Sequence, residues 1–196
     1  GGQVWRFDIE KSETDSNLSN LITGGRIADL AQDGSTTDNR RFYYPPDVAR
    51  TKSDSSRYLS LIMSTGYRAH PMETDTQDRI YMIKDLPISG APTTYTTLDE
   101  SDLFDTTDNL IGEGSDAEKA AAYSSLSSSQ GWYIDMELPG EKGLSRPVIF
   151  AGIAFITTYI PTDTSSGQSC APSEGGGRVY MVNLSNGTPV YSNDPT

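Results

Sequence analysis

Residues 79–85 read Arg-Ile-Tyr-Met-Ile-Lys-Asp, and the same order of residue types occurs twice more in the chain. Residues 3–9 read Gln-Val-Trp-Arg-Phe-Asp-Ile, and residues 178–184 read Arg-Val-Tyr-Met-Val-Asn-Leu. In each copy a β-branched residue is followed by an aromatic one, a composition that favours an extended strand. A strand repeated in this way is typical of a protein that repeats one small sheet.

The aromatic residues of the three copies, Trp5, Tyr81 and Tyr180, lie 76 and then 99 residues apart. A β-propeller blade takes roughly 40–50 residues, so each interval is long enough for one blade and an insertion. The sequence therefore predicts an all-β fold, a partial β-propeller of four-stranded antiparallel blades with a short helical insertion. The single domain, 1–196, divides into first blades at 1–86, a helical and polar insertion at 87–131, and a further blade at 132–196.

Further strands are predicted from alternation and β-branched content. Residues 58–64 alternate, with Leu59, Leu61 and Met63 on one face, and the buried aromatic positions are expected to include Trp5 and Tyr81. The other predicted strands are 79–86, 132–138, 148–151 and 153–159, and one that begins at 190 after an Asn-Gly turn. The run of glycines at 175–177 predicts a hairpin turn.

The insertion contains two candidate helix starts. Thr97 precedes Glu100 by three residues and Ser115 precedes Glu118 by three, and this spacing is that of the capping box. We therefore predict two short helices, at about 98–110 and 116–128, ended by the polar run before Gly131.

Charge and composition exclude several functions. The chain has 27 acidic and 15 basic residues, a net charge of −12, which argues against nucleic acid and against anionic lipid surfaces. No apolar run approaches the roughly 20 residues of a membrane span. The single cysteine, Cys170, excludes an internal disulfide, and the single histidine, His70, excludes a multi-histidine zinc site. The opening residues, without Met or a signal peptide, are interpreted as the start of a piece of a longer protein.

No catalytic or cofactor-binding residue is predicted. The nearest approach to a calcium site is the set Asp29, Asp33 and Asp38, but its spacing is not that of an EF-hand loop, and a polar turn is the favoured interpretation. As a general base, His70 would need a serine or cysteine nucleophile beside it. The chain has no Gly-x-Ser-x-Gly motif, and its cysteine is distant in sequence, so a structural role is predicted for His70.

Several blocks, in order, resemble the C-terminal β-propeller of the type IV pilus tip-associated adhesins, the PilY/PilC family. The blocks are Gly-Gly-Gln-Val-Trp-Arg-Phe-Asp-Ile at 1–9, Asp-Asn-Arg-Arg-Phe-Tyr-Tyr-Pro-Pro-Asp-Val-Ala at 38–49, Ser-Thr-Gly-Tyr-Arg-Ala-His-Pro at 64–71 with Asp-Arg-Ile-Tyr-Met-Ile-Lys-Asp at 78–85, Asp-Leu-Phe-Asp-Thr-Thr-Asp-Asn at 102–109 with Gly-Trp-Tyr-Ile at 131–134, and Thr-Thr-Tyr-Ile-Pro at 157–161 with Gly-Gly-Arg-Val-Tyr at 176–180. The resemblance runs nearly from end to end.

The resemblance implies a non-enzymatic adhesin and pilus assembly factor, extracellular and located at the pilus tip. Its implied partners are minor pilins, a host or abiotic surface, and the rest of the parent chain. The family's calcium loop lies upstream of the position that residue 1 occupies, so calcium is assigned to no residue here. Loops at 11–40, 87–131 and 162–174 are the expected contact regions.

Two alternatives stay open. One is a quinone-dependent dehydrogenase, whose propeller uses similar Gly-x-Val-Trp strands and would need metal-ligating acids that this chain does not obviously supply. The other is a generic sugar-binding propeller, for which Trp5, Trp132 and the tyrosines would supply aromatic contacts.

Overall fold

The computed structural model describes residues 1–10, 17, 21–31, 35–53, 56–162 and 175–190. The strands are β1 (Gln3–Ile9), β2 (Ile22–Asp29), β3 (Asp47–Lys52), β4 (Arg57–Ser64), β5 (Arg79–Asp85), β6 (Phe104–Asp105), β7 (Gly131–Asp135), β8 (Lys142–Gly143), β9 (Val148–Phe150), β10 (Ile153–Ile160) and β11 (Gly176–Asn183). The helices are α1 (Leu110–Glu113) and α2 (Asp116–Ser128), with a 3₁₀ turn at Glu100–Asp102. Neither of these helices is long and apolar enough to cross a membrane.

The central sheet has the strand order β3-β4-β5-β7-β6. Its first four strands form an antiparallel meander, in which each strand pairs with the one before it, and β6 adds in parallel to β7. The pair β5–β7 is formed across the insertion, which places β6, α1 and α2 beside the outer part of this sheet.

Two smaller sheets flank the central one. The N-terminal sheet is the antiparallel pair β1–β2, and the C-terminal sheet has the order β11-β10-β8, with β9 also paired to β10. The turn between β9 and β10 is tight because Ala151 and Gly152 both adopt positive φ, at 52° and 79°. Such a conformation suits a two-residue hairpin whose twist matches its strands.

The three sheets stack face to face, with one core on each side of the central sheet. The core shared with the N-terminal sheet consists of Ile27, Ala28, Leu30, Leu61, Met63, Tyr81, Ile83 and Leu103. The core shared with the C-terminal sheet includes Ile62, Ile80, Met82, Trp132, Ala154, Ile156, Val182 and two residues of α2, Ala122 and Leu126. Alternation along β4 and β5 sends successive apolar side chains into the two cores.

Polar contacts also join the layers. Arg6 of β1 reaches Asp85 of β5 with 3.0 Å between Nη1 and Oδ1, and both side chains are largely buried. On the other side, the Trp132 indole N–H donates to the Leu184 carbonyl oxygen at 3.0 Å. These contacts fix how each flanking sheet lies on the central one.

The outward faces of both flanking sheets are apolar. Alternate residues of β1, namely Trp5, Phe7 and Ile9, point away from the central sheet, and Phe7 is 68% exposed. On the C-terminal sheet, Phe150 is 72% exposed and Val179 is also exposed. An exposed sheet face of this composition is unusual for a monomeric protein.

Most sequence predictions of strands are confirmed, and the chain is predominantly strand in antiparallel sheets. The predicted face of β4 is confirmed, since Leu61 and Met63 are buried and Leu59 packs against the same core. The helix predicted at 116–128 is confirmed as α2, and the reciprocal capping hydrogen bonds between Ser115 and Glu118 are present.

Other predictions are wrong. The predicted helix at 98–110 is a 3₁₀ turn followed by β6, because Asp99 rather than Thr97 caps the turn and pairs reciprocally with Asp102. The predicted loop at 11–40 contains β2. Gly176 and Gly177 lie within β11 rather than in a turn, and Trp5 is 55% exposed rather than buried.

Candidate functional site

Two loops meet at one end of the central sheet. The loop 35–46 leads into β3, and the loop 65–78 joins β4 to β5. The register pairs Asp47 with Ile62 and Ser64 with Ile80, so the start of β3, the end of β4 and the start of β5 lie at the same end. The two loops are therefore neighbours although they are far apart in sequence.

Hydrogen bonds fasten the two loops together. The amide of Gly66 donates to the Arg41 carbonyl oxygen at 3.0 Å, and the amide of Gln77 donates to the Thr37 carbonyl oxygen at 2.9 Å. Arg40 Nε donates to the Gln77 carbonyl oxygen at 2.6 Å. A surface held by several such bonds keeps one shape, which lowers the entropic cost of binding a ligand.

Gly66 allows the close contact at this junction. A Cβ at position 66 would lie 2.6 Å from the carbonyl oxygen of Gly143. This distance is too short for any side chain, so the approach of the loop to β8 requires glycine here.

A buried ionic network lies beside the loops. Arg40 pairs with Asp38 and, at 2.7 Å, with Glu100, while Arg79 pairs with Glu100 at 2.6 Å. The Tyr81 hydroxyl donates to the same Glu100 carboxylate. Burial opposes ionisation of Glu100, but the hydrogen bonds from Tyr81, Arg79 and Arg40 keep the pKa of its carboxyl below the usual value.

Beneath the second loop lies a pocket of buried charged groups. Lys142 is fully buried and donates to the Glu73 carbonyl oxygen. Asp78 is also buried, and neither of its carboxylate oxygens has a hydrogen-bond partner among the described residues. Burial raises the pKa of Asp78 to about 6, and the nearby charge of Lys142 opposes this rise only in part.

The outer surface of the two loops carries an aromatic–basic platform, formed by Arg41, Tyr43, Tyr67, Arg68 and His70. The rings of Tyr43 and Tyr67 are stacked, with centroids 6.2 Å apart and planes inclined by 23°. The His70 ring lies 4.5 Å from the Tyr67 ring, and the guanidinium carbon of Arg41 lies 3.8 Å from the centre of the Tyr67 ring. Tyr43, Arg68 and His70 are exposed.

The platform arginines differ from most others in the chain. Six of the ten arginines form an ion pair with a carboxylate: Arg6, Arg26, Arg40, Arg79, Arg146 and Arg178. Arg41 and Arg68 have no carboxylate partner among the described residues, and Arg68 lies 5.7 Å from the Tyr44 ring. Their guanidinium groups therefore keep N–H donors available for an anion.

Two of the three weak metal candidates lie among the described residues, and each of these two pairs with an arginine. Asp29 pairs with Arg26 at 2.6 Å, Asp38 pairs with Arg40, and Asp33 lies outside the described residues. Within the described part of the chain, no group of three or more His, Cys, Asp or Glu side chains could hold a metal ion. Cys170 also lies outside the described residues.

His70 packs against Tyr67 at the exposed edge of the platform, and its backbone amide donates to the Tyr67 carbonyl oxygen at 3.0 Å. The structural role that the sequence analysis assigned to His70 stays a prediction. Sequence reasoning included Arg41, Tyr43, Tyr67 and Arg68 in the blocks of the resemblance but assigned them no binding role. The available signal was the concentration of Tyr and Arg in two otherwise polar loops.

No family model, no curated protein and no solved structure matches the chain.

Proposed function

We propose that the chain forms neighbouring blades of a β-propeller and acts as a non-enzymatic binding module. The observation that carries this proposal is the stack of three sheets whose two outward faces are both apolar. In a propeller every blade packs between two neighbours, so a blade at the end of an isolated arc exposes one apolar face.

The repeat supports the same proposal. The repeated segments form β1, β5 and most of β11, and β1 and β5 each pair antiparallel with a strand later in the chain, β2 and β7. β5 and β11 each pair with the strand that precedes, β4 and β10. β5 thus has a later neighbour as β1 does and an earlier neighbour as β11 does, which is expected if the three segments hold the same strand position in successive blades.

The resemblance to the PilY/PilC family provides the biological context. We propose that the parent protein is a type IV pilus tip adhesin and assembly factor, extracellular, with minor pilins and a host or abiotic surface as partners. The rest of the parent chain would cover the outward faces of the two flanking sheets. The family's calcium loop would lie outside residues 1–196.

The proposal is tested by immunogold labelling of the parent cells with an antibody raised against this chain. We expect gold at the free ends of thin pili. Gold confined to the periplasm, with unlabelled pili, would overturn the pilus-tip placement. Titration of the purified chain with a quinone and Ca²⁺ would then test the dehydrogenase alternative through the absorption of a bound cofactor.

A sugar-binding propeller is the second candidate, and the aromatic–basic platform favours it. This function is compatible with the first, because an adhesin can bind its target surface through carbohydrate.

A further inference from the structure

The platform combines two kinds of contact on one surface. Exposed tyrosine and histidine rings pack against the C–H face of a pyranose ring, because they present an apolar face together with a polar tip. Arginine presents a planar fork of donors that matches a carboxylate. At the platform the two kinds of group are adjacent, since Arg41 lies directly over the ring of Tyr67.

The platform carries positive charge, whereas the protein as a whole is negatively charged. The chain has a net charge of −12, so most of its surface repels an anion. Arg41 and Arg68 supply two positive charges that no described carboxylate neutralises. The carboxylate of a ligand whose ring packs on the platform tyrosines would therefore meet two positive charges, and this combination of charge and aromatic surface distinguishes the platform from Arg50 and Arg57.

The platform rings lie outside three cavities of the described residues, which bears on the class of ligand. The cavities of about 130, 610 and 290 Å³ found among the described residues are not lined by Tyr43, Tyr67 or His70. A peptide gains most of its affinity from side chains anchored in pockets, whereas a sugar ring can lie on an open aromatic surface. A nucleic acid is disfavoured because it needs more cations than the platform supplies.

We propose that the aromatic–basic platform binds acidic carbohydrate, specifically glycans that carry uronate or other carboxylated sugars. Tyr43 and His70 contact the sugar ring, and Arg41 and Arg68 bind its carboxylate. The cross-loop bonds at Gly66 and Gln77 hold these groups in place before the ligand arrives. This inference deepens the proposed binding function but does not rest on where the parent protein is located.

The test is direct binding by the purified chain, measured by calorimetry at low ionic strength. The probe is trigalacturonic acid, with maltotriose as a neutral trisaccharide and hexaglutamate as an acidic peptide. We expect binding of trigalacturonic acid, at least tenfold weaker binding of the other two, and a further loss when NaCl is raised. No binding of trigalacturonic acid, or equal binding of hexaglutamate, would overturn the inference.

Matched variants distinguish binding at the platform from nonspecific electrostatic attraction. Arg41→Gln and Tyr43→Ala should each weaken binding at least fivefold. The first removes a charge that binds the carboxylate, and the second removes a ring that contacts the sugar. Arg50→Gln and Arg57→Gln are the controls, because these arginines of β3 and β4 also have no described carboxylate partner and lie away from the platform. Equal losses in control and platform variants would contradict a specific site, and circular dichroism confirms that each variant is folded.

The ligand assignment and the pilus-tip placement are overturned by different results. Absence of trigalacturonic acid binding together with gold at pilus tips would overturn only the ligand assignment. Binding together with gold confined to the periplasm would overturn only the pilus-tip placement.

Discussion

At the scale of single residues, Asp78 is a buried carboxylate whose negative charge is poorly stabilised. Its carboxylate oxygens have no hydrogen-bond partner among the described residues, and the charges that act on it are of both signs, with Lys142 and Arg40 positive and Glu73 negative. An ionised carboxylate in such a place destabilises the folded state. Its pKa of about 6 exceeds the usual 3.8, so the folded state binds this proton more tightly than the unfolded state does.

The sign of the resulting pH dependence follows from linkage. The stabilising contribution of Asp78 is fully present below about pH 4 and is lost as the pH rises through about 6. We predict that Asp78→Asn raises the free energy of unfolding above pH 7 by up to about 3 kcal/mol, the equivalent of the pKa difference. Urea unfolding measured between pH 4 and 8 checks this, and the difference between variant and parent should shrink toward pH 4.

Asp75→Asn is the control for this prediction, because Asp75 is an exposed aspartate on the same loop. It should leave the pH profile unchanged. A decrease in stability of Asp78→Asn at pH 7.5 would mean that the ionised carboxylate has partners that stabilise it.

Tyr81 and Trp5 occupy the same position of the repeat but differ in burial. Tyr81 is fully buried and its hydroxyl donates to Glu100, whereas Trp5 is 55% exposed. We predict that Tyr81→Ala costs about 3–5 kcal/mol in the free energy of unfolding, and that Trp5→Ala costs less than about 1 kcal/mol in the isolated chain. Chemical denaturation of both variants checks this contrast. Equal losses in the free energy of unfolding would contradict it.

At the scale of elements, α2 depends on its first turn. Ser115 and Glu118 satisfy each other's backbone amides, while few residues of the helix are buried, chiefly Ala122 and Leu126. We predict that Ser115→Ala costs about 1 kcal/mol in the free energy of unfolding. Thermal and urea unfolding check the loss.

Ser124→Ala is the matched substitution, because Ser124 lies on the exposed surface of the same helix and alanine has a higher helix propensity. It should leave stability unchanged or slightly raised. If both variants lose the same stability, the capping box contributes nothing specific.

The elements that sequence predicted correctly are those whose own pattern is strong. β4 and β5 alternate or carry dense β-branched residues, and the capping box of α2 is complete in sequence. β2 was missed because Gly24 and Gly25 interrupt it and a polar run precedes it. The exposure of Trp5 was not predictable, because it depends on which sheet packs on that face rather than on local pattern.

The candidate site was only half predictable for a similar reason. The sequence supplies Arg41, Tyr43, Tyr67 and His70 and shows that they are aromatic and basic. Their proximity depends on hydrogen bonds between two loops that are separated by β3 and β4, such as the bond from Gly66 to Arg41. Local patterns contain no information about such long-range contacts.

At the scale of the whole molecule, the two apolar outward faces govern behaviour in solution. Phe7 and Phe150 are the most exposed aromatic side chains on these faces. We predict that the isolated chain self-associates, and that Phe7→Lys with Phe150→Lys lowers the associated fraction at least several-fold without loss of stability. Sedimentation velocity over a range of concentrations checks this.

Tyr123→Lys is the control for this experiment, because Tyr123 is a large exposed residue on α2 rather than on a sheet face. It should leave association unchanged. An equal effect of the control would show that association reflects overall charge instead of the two faces.

The path of the chain through the central sheet also governs the order in which the protein assembles. β3, β4 and β5 are joined by connections of 4 and 14 residues and can pair soon after synthesis, whereas β5 meets β7 only after about 45 residues of insertion. The pairing that buries Trp132 therefore has a high entropic cost of closure and is expected late. Until then the edge of β5 is exposed in the nascent chain. Rapid formation of α2 would bring β7 closer to β5 and so shorten the time for which this edge is unpaired.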